Sequence, residues 1–248
     1  MTATMNHPAN QATRATRVPM DAVRKSAFFG GAFYLITFAS SIPAVFLLRP
    51  VLDDPNYILG PGADTQVTFG TMLDLVNALA CIGTAVALFP VVKRQSEALA
   101  LGFVTNRMFE AAVIVIGVVS LLTVVTLRQP GATGAEADSL VVTGQSLVAM
   151  RDWSFLLGPN VMAGLNALLI GTLMYKSGLV PRVIPTIGLI GAPLLLAVTV
   201  ATIFGLTDHG SAWWVVAAPI FVWELSLGIY LIVKGFKPSA VTTGSVRS

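Results

Sequence analysis

Charge is what this sequence has least of. Only 11% of its 248 residues are Asp, Glu, Lys or Arg, whereas an ordinary soluble domain carries about 25%. A chain so poor in charge cannot cover a globular surface in water, which excludes a water-soluble globule. Cysteine is nearly absent as well. The single Cys81 excludes an internal disulfide framework and a cysteine-based metal centre, and its apolar neighbours read it as a small packing residue. Histidine is reduced to His7 and His209. His7 has no partner near it in sequence, and Asp208-His209 has the pattern of a polar turn. The net charge of +3 is too small, and too localised at segment ends, for a nucleic-acid partner. No HExxH, GxSxG, Walker or glycine-rich phosphate motif stands in a supporting context. No catalytic residue, cofactor or metal ligand is therefore expected, and an enzyme is the weaker reading.

Long apolar runs are what the chain has instead. Its mean hydropathy is +0.79, and six stretches are each long enough to cross a hydrocarbon core of about 30 Å. They cover residues 26–48, 67–89, 98–127, 153–175, 183–206 and 212–233. None alternates with the period of two that barrel strands need, and helices alone satisfy the backbone in lipid at these lengths. The sequence predicts an all-α fold, a polytopic integral membrane bundle of six transmembrane helices. Residues 1–25 read as a disordered cytoplasmic tail, 26–235 as the membrane domain, and 236–248 as a second cytoplasmic tail. No short apolar core followed by a small-residue cleavage site precedes the first span, so no secretory signal peptide is expected.

The basic residues predict the orientation. Arg24 and Lys25 precede the first span, Lys93 and Arg94 separate the second from the third, Lys176 and Arg182 separate the fourth from the fifth, and Lys234 and Lys237 follow the sixth. The remaining loops hold Asp53, Asp54, Asp64, Glu136, Asp138 and Asp208, with Arg49, Arg128 and Arg151 as their basic members. By the positive-inside rule both termini are cytoplasmic. Residues 49–66, rich in Pro, Gly and Asp, are expected to fold over the outer face. Residues 139–150 are apolar enough to lie along the membrane surface as a separate short helix. Trp153, Trp213 and Trp214 are expected at outer boundaries, where indoles anchor.

Two runs and the end of the last span carry a family resemblance. The first is Leu88-Phe89-Pro90-Val91-Val92-Lys93-Arg94, continuing through Ala98-Leu99-Ala100 to Arg107-Met108-Phe109-Glu110-Ala111. The second is Met174 through Arg182, and the last joins Trp223-Glu224-Leu225-Ser226-Leu227-Gly228 to Leu231 through Gly235. Together they resemble a bacterial polytopic family filed as domain of unknown function DUF4386, over roughly residues 24 to 237. The resemblance implies a multi-span inner-membrane protein and assigns no chemistry to any residue.

The few polar residues inside the apolar runs are the candidates for a site. Arg107 and Glu110 are three residues apart and share a helix face, and Glu224 falls near the predicted midplane of the sixth span. Asp74 and Asn77 share a face of the second span, and Asn160 and Asn166 place amides in the fourth. Intramembrane charge is costly and is kept when paired or used. The run 98–127 is longer than a straight span needs, so its helix tilts or starts later. The apolar character of 98–104 favours the early start. Small residues at Gly30-Gly31, Gly188 and Gly191 read as close-packing points. Ser40-Ser41 before Pro43 fit either a cavity wall or a hydroxyl-stabilised kink.

Three readings follow for this protein of the lipid bilayer. The first is a transporter, permease or sensor of a small solute or lipid, with a polar intramembrane cavity around Arg107, Glu110 and Glu224. The second is a structural or regulatory subunit whose charges lock helix packing. The third, an intramembrane lipid-modifying enzyme, lacks a visible nucleophile or metal set. A cavity beside Glu224 separates the first and third from the second.

Overall fold

A computed structural model describes residues 21–207 and 211–243. His7, Arg14, Arg17, Asp208, His209 and the Trp213 side chain lie outside the described residues, with most of the first predicted tail and residues 244–248 of the second. Helix α1 is Ala22–Leu47, α2 Arg49–Asp53, α3 Asp64–Val92 and α4 Glu97–Leu127. Helix α5, Gly134–Phe155, passes through a π-helical turn, Leu156–Met162, into α6, Ala163–Ser177. Then come α7, Val183–Ile203, α8, Ser211–Val233, and α9, Ala240–Thr243. Among the described residues there is no strand. Six helices are long and apolar enough to cross a membrane, and the chain is a multi-pass integral membrane protein.

Local chemistry sets several of these ends. The Asp21 carboxylate accepts the Arg24 backbone N–H at 2.6 Å and caps α1. Ser96 caps α4 by accepting from the Leu99 N–H at 3.4 Å, with Glu97 in the first turn. Helix α4 therefore takes the early start. Gly178 stops α6 at φ +66°, a left-handed conformation that costs a glycine nothing.

The spans form a closed ring. Helix α1 packs on α3, α3 on α4, α4 on the α5–α6 helix, α6 on α7, α7 on α8, and α8 returns to α1. Glycines bring the closing pair together: a Cβ at Gly31 would lie 2.6 Å from the Gly228 carbonyl oxygen. One at Gly188 would lie 2.6 Å from the Trp223 indole. Association in lipid has no hydrophobic drive and depends on such close backbone approach. The main apolar core, including Leu88, Phe103, Ile170, Leu173 and Trp223, fills the half of the ring nearer the start of α1 and the end of α8. We refer to this as the terminal end and to the opposite one as the loop end. Around the girth, large apolar side chains remain open, such as Leu79, Val86, Val119 and Ile190. On a soluble monomer so continuous an apolar belt would aggregate.

Three expectations change. Residues 139–150 do not lie apart as a surface helix, because α5 continues into the fourth span without a break. Its apolar face, with Leu140, Val141, Leu147 and Val148, packs on residues 48–67 and the end of α4. That apolar character reflects protein contact rather than lipid. Trp153 accordingly sits inside a continuous helix and not at its start. The predicted second tail begins by folding back across the terminal end. The Lys237 N–H donates to Leu179 O at 2.7 Å, Arg94 Nη1 donates to Val241 O at 3.3 Å, and the Val241 side chain is buried.

The segment 49–66 does cover the loop end, and Arg128 fastens it there. Its Nε pairs with Asp64 Oδ1 at 2.8 Å, and its Nη atoms donate to the carbonyls of Gly60 and, at 3.1 Å, Pro61. Tyr57 donates to Asp64 Oδ1 at 2.8 Å. Burial, then the bond to Asp64, push its phenol from 10.0 up to about 12. The folded state thus holds the phenolic proton more tightly than the unfolded one. The corresponding stability is full below pH about 10 and is lost as pH rises through about 12. We expect Arg128→Met to destabilise the protein by about 1–2 kcal/mol, since charge-assisted bonds to Asp64 and to the partly buried Gly60 carbonyl are lost. Limited proteolysis should then cut within residues 54–63. An unchanged melting temperature and cleavage pattern would show that the cap holds without Arg128.

Candidate functional site

The ring brings Arg107, Glu110 and Glu224 into one cluster. Arg107 Nη1 donates to Glu110 Oε2 at 3.0 Å, and Nη2 donates to Glu224 Oε1 at 3.0 Å. Asn166 Nδ2 adds a bond to Glu110 Oε2 at 2.7 Å. Arg107 Nη1 also lies 3.6 Å from Cys81 Sγ, and the guanidinium carbon sits 5.1 Å from the Tyr34 ring centroid. Residues of α1, α3, α4, α6 and α8 thus meet at one guanidinium. Each lies about nine to twelve residues from its helix tip at the terminal end, roughly 15 Å at about 1.5 Å per residue. Five helices reach the same level, within the hydrocarbon thickness.

The three charges differ in access. The Arg107 and Glu110 side chains are 2% and 5% exposed, while Glu224 keeps 14%. Among the described residues only Oε1 of Glu224 has a partner; Oε2 looks into a cavity. That cavity has a volume of about 370 Å³ and runs from the cluster toward the loop end, between α1, α3, α4, α5 and α8. Polar side chains occupy one wall, with Asp74, Asn77 and Cys81 on α3 above Arg107 and Glu110 on α4. The opposing α1 wall carries Thr37 and Ser41. The serine pair divides its tasks: buried Ser40 donates to Ile36 O at 2.7 Å, one turn before Pro43, while Ser41 faces the cavity.

Asp74 is joined by a residue that the sequence had assigned to a loop. Arg151 Nη2 lies 3.9 Å from Asp74 Oδ2, and the Arg151 side chain is only 9% exposed. The unbroken α5 carries it inward to the cavity wall, where its guanidinium stacks 4.5 Å from the Phe155 ring centroid. Its signal in the sequence was the apolar run 139–150 joining the fourth span with no proline or glycine break at 151. Tyr34 and Cys81 were equally hidden, since neither a tyrosine nor a cysteine in an apolar run announces a guanidinium beside it.

The amides separate. Asn166 belongs to the charge cluster. Asn160 is buried in the π-helical turn, does not line the cavity, and leaves Nδ2 without a partner among the described residues. The turn surrounds Pro159, which supplies no N–H to the helix ladder. Asn106 Nδ2 reaches across from α4 to the Met162 carbonyl at 2.8 Å and satisfies an acceptor at the end of this turn. Pro159 itself touches the cavity.

One guanidinium therefore faces two carboxylates in a low-dielectric layer, with Asn166 donating to the more buried acid. Such a set engages both Nη atoms of Arg107, leaves its Nε without a partner among the described residues, and leaves Glu224 Oε2 and Glu110 Oε1 without a hydrogen bond there. Among the described residues no group of His, Cys, Asp and Glu is placed to hold a metal ion.

The family described as Domain of unknown function (DUF4386) matches residues 29–235, and the chain belongs to it. No curated protein and no solved structure matches the chain.

Removing the cation while both acids stay buried strands charge in hydrocarbon. We expect Arg107→Gln to lower stability by about 3 kcal/mol or more. Adding Glu224→Gln to it should restore at least about 1 kcal/mol, since the two residues share one pair. Apparent melting temperatures of wild type, both single variants and the double variant in detergent decide this. Additive losses would show that the two residues do not act as a pair.

Proposed function

We propose that this member of the DUF4386 family binds a small solute or a lipid inside the bilayer, as a small transporter or a sensor. One observation carries the reading: the charge cluster lines a cavity of about 370 Å³ instead of being closed within the core. A pocket of that size suits a small organic molecule, and an apolar wall with a few convergent polar groups is the usual make-up of such a site. A charge layer that served packing alone would have no need of an adjoining void. Voids in a helix bundle forfeit dispersion contacts.

The structural reading keeps a specific observation of its own. Arg107 is 2% exposed and its two Nη atoms are both engaged, so it joins α4 to α8 whatever the cavity does. The two roles are compatible, with Arg107 and Glu110 as the fixed rear of the site and Glu224 as its accessible front. In the orientation we infer, the terminal end faces the cytoplasm of a bacterial cell and the cavity occupies the outer half of the inner membrane. The support is that Arg24, Lys93, Arg94, Lys176, Arg182 and Lys234 all gather at the terminal end of the ring.

Filling the cavity without touching its charges tests the reading. Ser41→Trp places an indole in the void from α1. In native mass spectrometry of gently solubilised protein, wild type should retain a small-molecule or lipid adduct that Ser41→Trp loses, with the melting temperature kept within a few degrees. Identical adducts in both proteins, or none in either, would leave the structural reading in possession.

A further inference from the structure

Resting on the cavity as a binding site, we propose that its ligand is a monovalent organic cation carrying hydrocarbon. It enters from the bilayer between α1 and α8 and sets its ammonium group against Glu224.

The charge count comes first. The cavity is bordered by Asp74, Glu110, Glu224, Arg107 and Arg151, three carboxylates against two guanidiniums. Both cations are already occupied. Arg107 is held by Glu110 and Glu224, while Arg151 lies 3.9 Å from both Asp74 and Asp152. The surplus negative charge falls where access is greatest around the cluster, at Glu224 Oε2. An anionic ligand would meet that surplus with no guanidinium free to receive it. With a neutral ligand the surplus is relieved only by taking up a proton at one of the acids, whereas a cation compensates it directly.

The walls select among cations. One turn from Glu224 the cavity wall offers Phe221, which Phe38 meets edge to face, and Phe46 and Trp214 continue the aromatic lining toward the loop end. A small inorganic ion at Glu224 would give up hydration beside aromatic side chains, since Asp74 and Asn77 stand on the α3 wall and Ser41 on α1. An alkylammonium is weakly hydrated, its carbon surface suits apolar walls, and its charge is attracted to aromatic faces.

The route is visible in the exposure of the same side chains. At the terminal end Gly31 and Gly228 bring α1 and α8 into backbone contact. Toward the loop end, Ile42 and Phe46 on α1 and Trp214 and Phe221 on α8 line the cavity and are 44%, 57%, 59% and 44% exposed, so the seam is less tightly packed there than at the glycine contact. Phe38 and Phe221 meet across the seam edge to face, with ring centroids 4.8 Å apart. Rotamer changes at such a pair suffice to admit an alkyl chain, since side-chain flips are fast and need no backbone motion.

The test uses the full chain in nanodiscs of zwitterionic lipid, with octyltrimethylammonium, octanesulfonate and 1-octanol as probes of equal chain length. Binding is measured calorimetrically, with empty nanodiscs subtracted. We expect saturable binding of octyltrimethylammonium at least tenfold tighter than of either other probe. Glu224→Gln should weaken it tenfold or more, and Glu224→Asp should weaken it less. Should Glu224→Gln fail to fold, Phe38→Leu and Phe221→Leu leave the charge cluster intact and should each weaken the ammonium probe severalfold. Cross-linking Phe38→Cys to Phe221→Cys with a short bismaleimide, native Cys81 being buried, should slow association at least tenfold. Equal or tighter binding of octanesulfonate or octanol overturns the charge assignment and leaves the cavity reading standing. An unchanged association rate after cross-linking overturns the lateral route. If no probe binds while wild type keeps an adduct that Ser41→Trp loses, the cation proposal falls alone. If that adduct is missing too, both readings fall.

Discussion

A guanidinium in hydrocarbon stays only where carboxylates hold it, and the arrangement of five helices follows from that requirement at Arg107. Its position on α4 is reached by Glu110 from one turn further along the same helix, by Glu224 from α8, and by Asn166, Tyr34 and Cys81 from α6, α1 and α3. Lipid offers apolar helix faces no reason to prefer each other over acyl chains. A charged layer supplies that preference. It works only when each helix has the correct rotation and depth, because a shift of one residue turns a carboxylate by about 100° away from its partner. The glycine contacts at Gly31 and Gly188 then act within a ring whose register the charges have already specified.

Above and below that layer the bundle is built differently. Toward the terminal end the core is dense and apolar, with Trp223, Leu88 and Phe103 fully buried and the segment ending in Val241 folded across it. Toward the loop end the helices diverge around the cavity, and closure is left to the cap fastened by Arg128. A sealed floor, a charged layer and a vaulted space above it give the molecule one accessible side within the membrane. That asymmetry does not follow from packing alone, since the residues that could fill the space are present. Thr37 and Ser41 stand on its α1 wall where larger apolar side chains would close it.

The six spans and their class were legible because hydropathy over twenty residues is a strong signal and the bilayer fixes the length it must have. The charge cluster was legible in part. Arg107 with Glu110 is a local spacing and can be read directly, and Glu224 stood out as a lone acid in an apolar helix. Their meeting depends on helix rotation and on the ring closing between α1 and α8, neither of which one sequence encodes in a readable way. Arg151 was misplaced for a definite reason. An arginine beside Asp152 at the edge of an apolar run looks like a helix boundary, and hydropathy does not distinguish apolar residues that face lipid from those that face α4. Asn160 misled in the opposite sense: an amide at membrane depth looked like a site residue, yet it lies in the π-helical turn behind the cavity.

The same asymmetry settles how a lock and a site can coexist in one cluster. If Arg107 were exposed to the cavity, any anion could compete for it and each binding event would loosen the join between α4 and α8. Here the guanidinium is 2% exposed with both Nη atoms held by carboxylates, while Glu224, at 14%, is the most accessible of the three charges. A ligand at Glu224 Oε2 can therefore add to the cluster without breaking the Arg107 bond at Oε1. Binding there, as proposed above, would strengthen the link between α4 and α8 while leaving the α1–α8 contact at Gly31 and Gly228 in place. The polar layer stabilises the bundle and presents a charge to the cavity through different atoms of the same side chain.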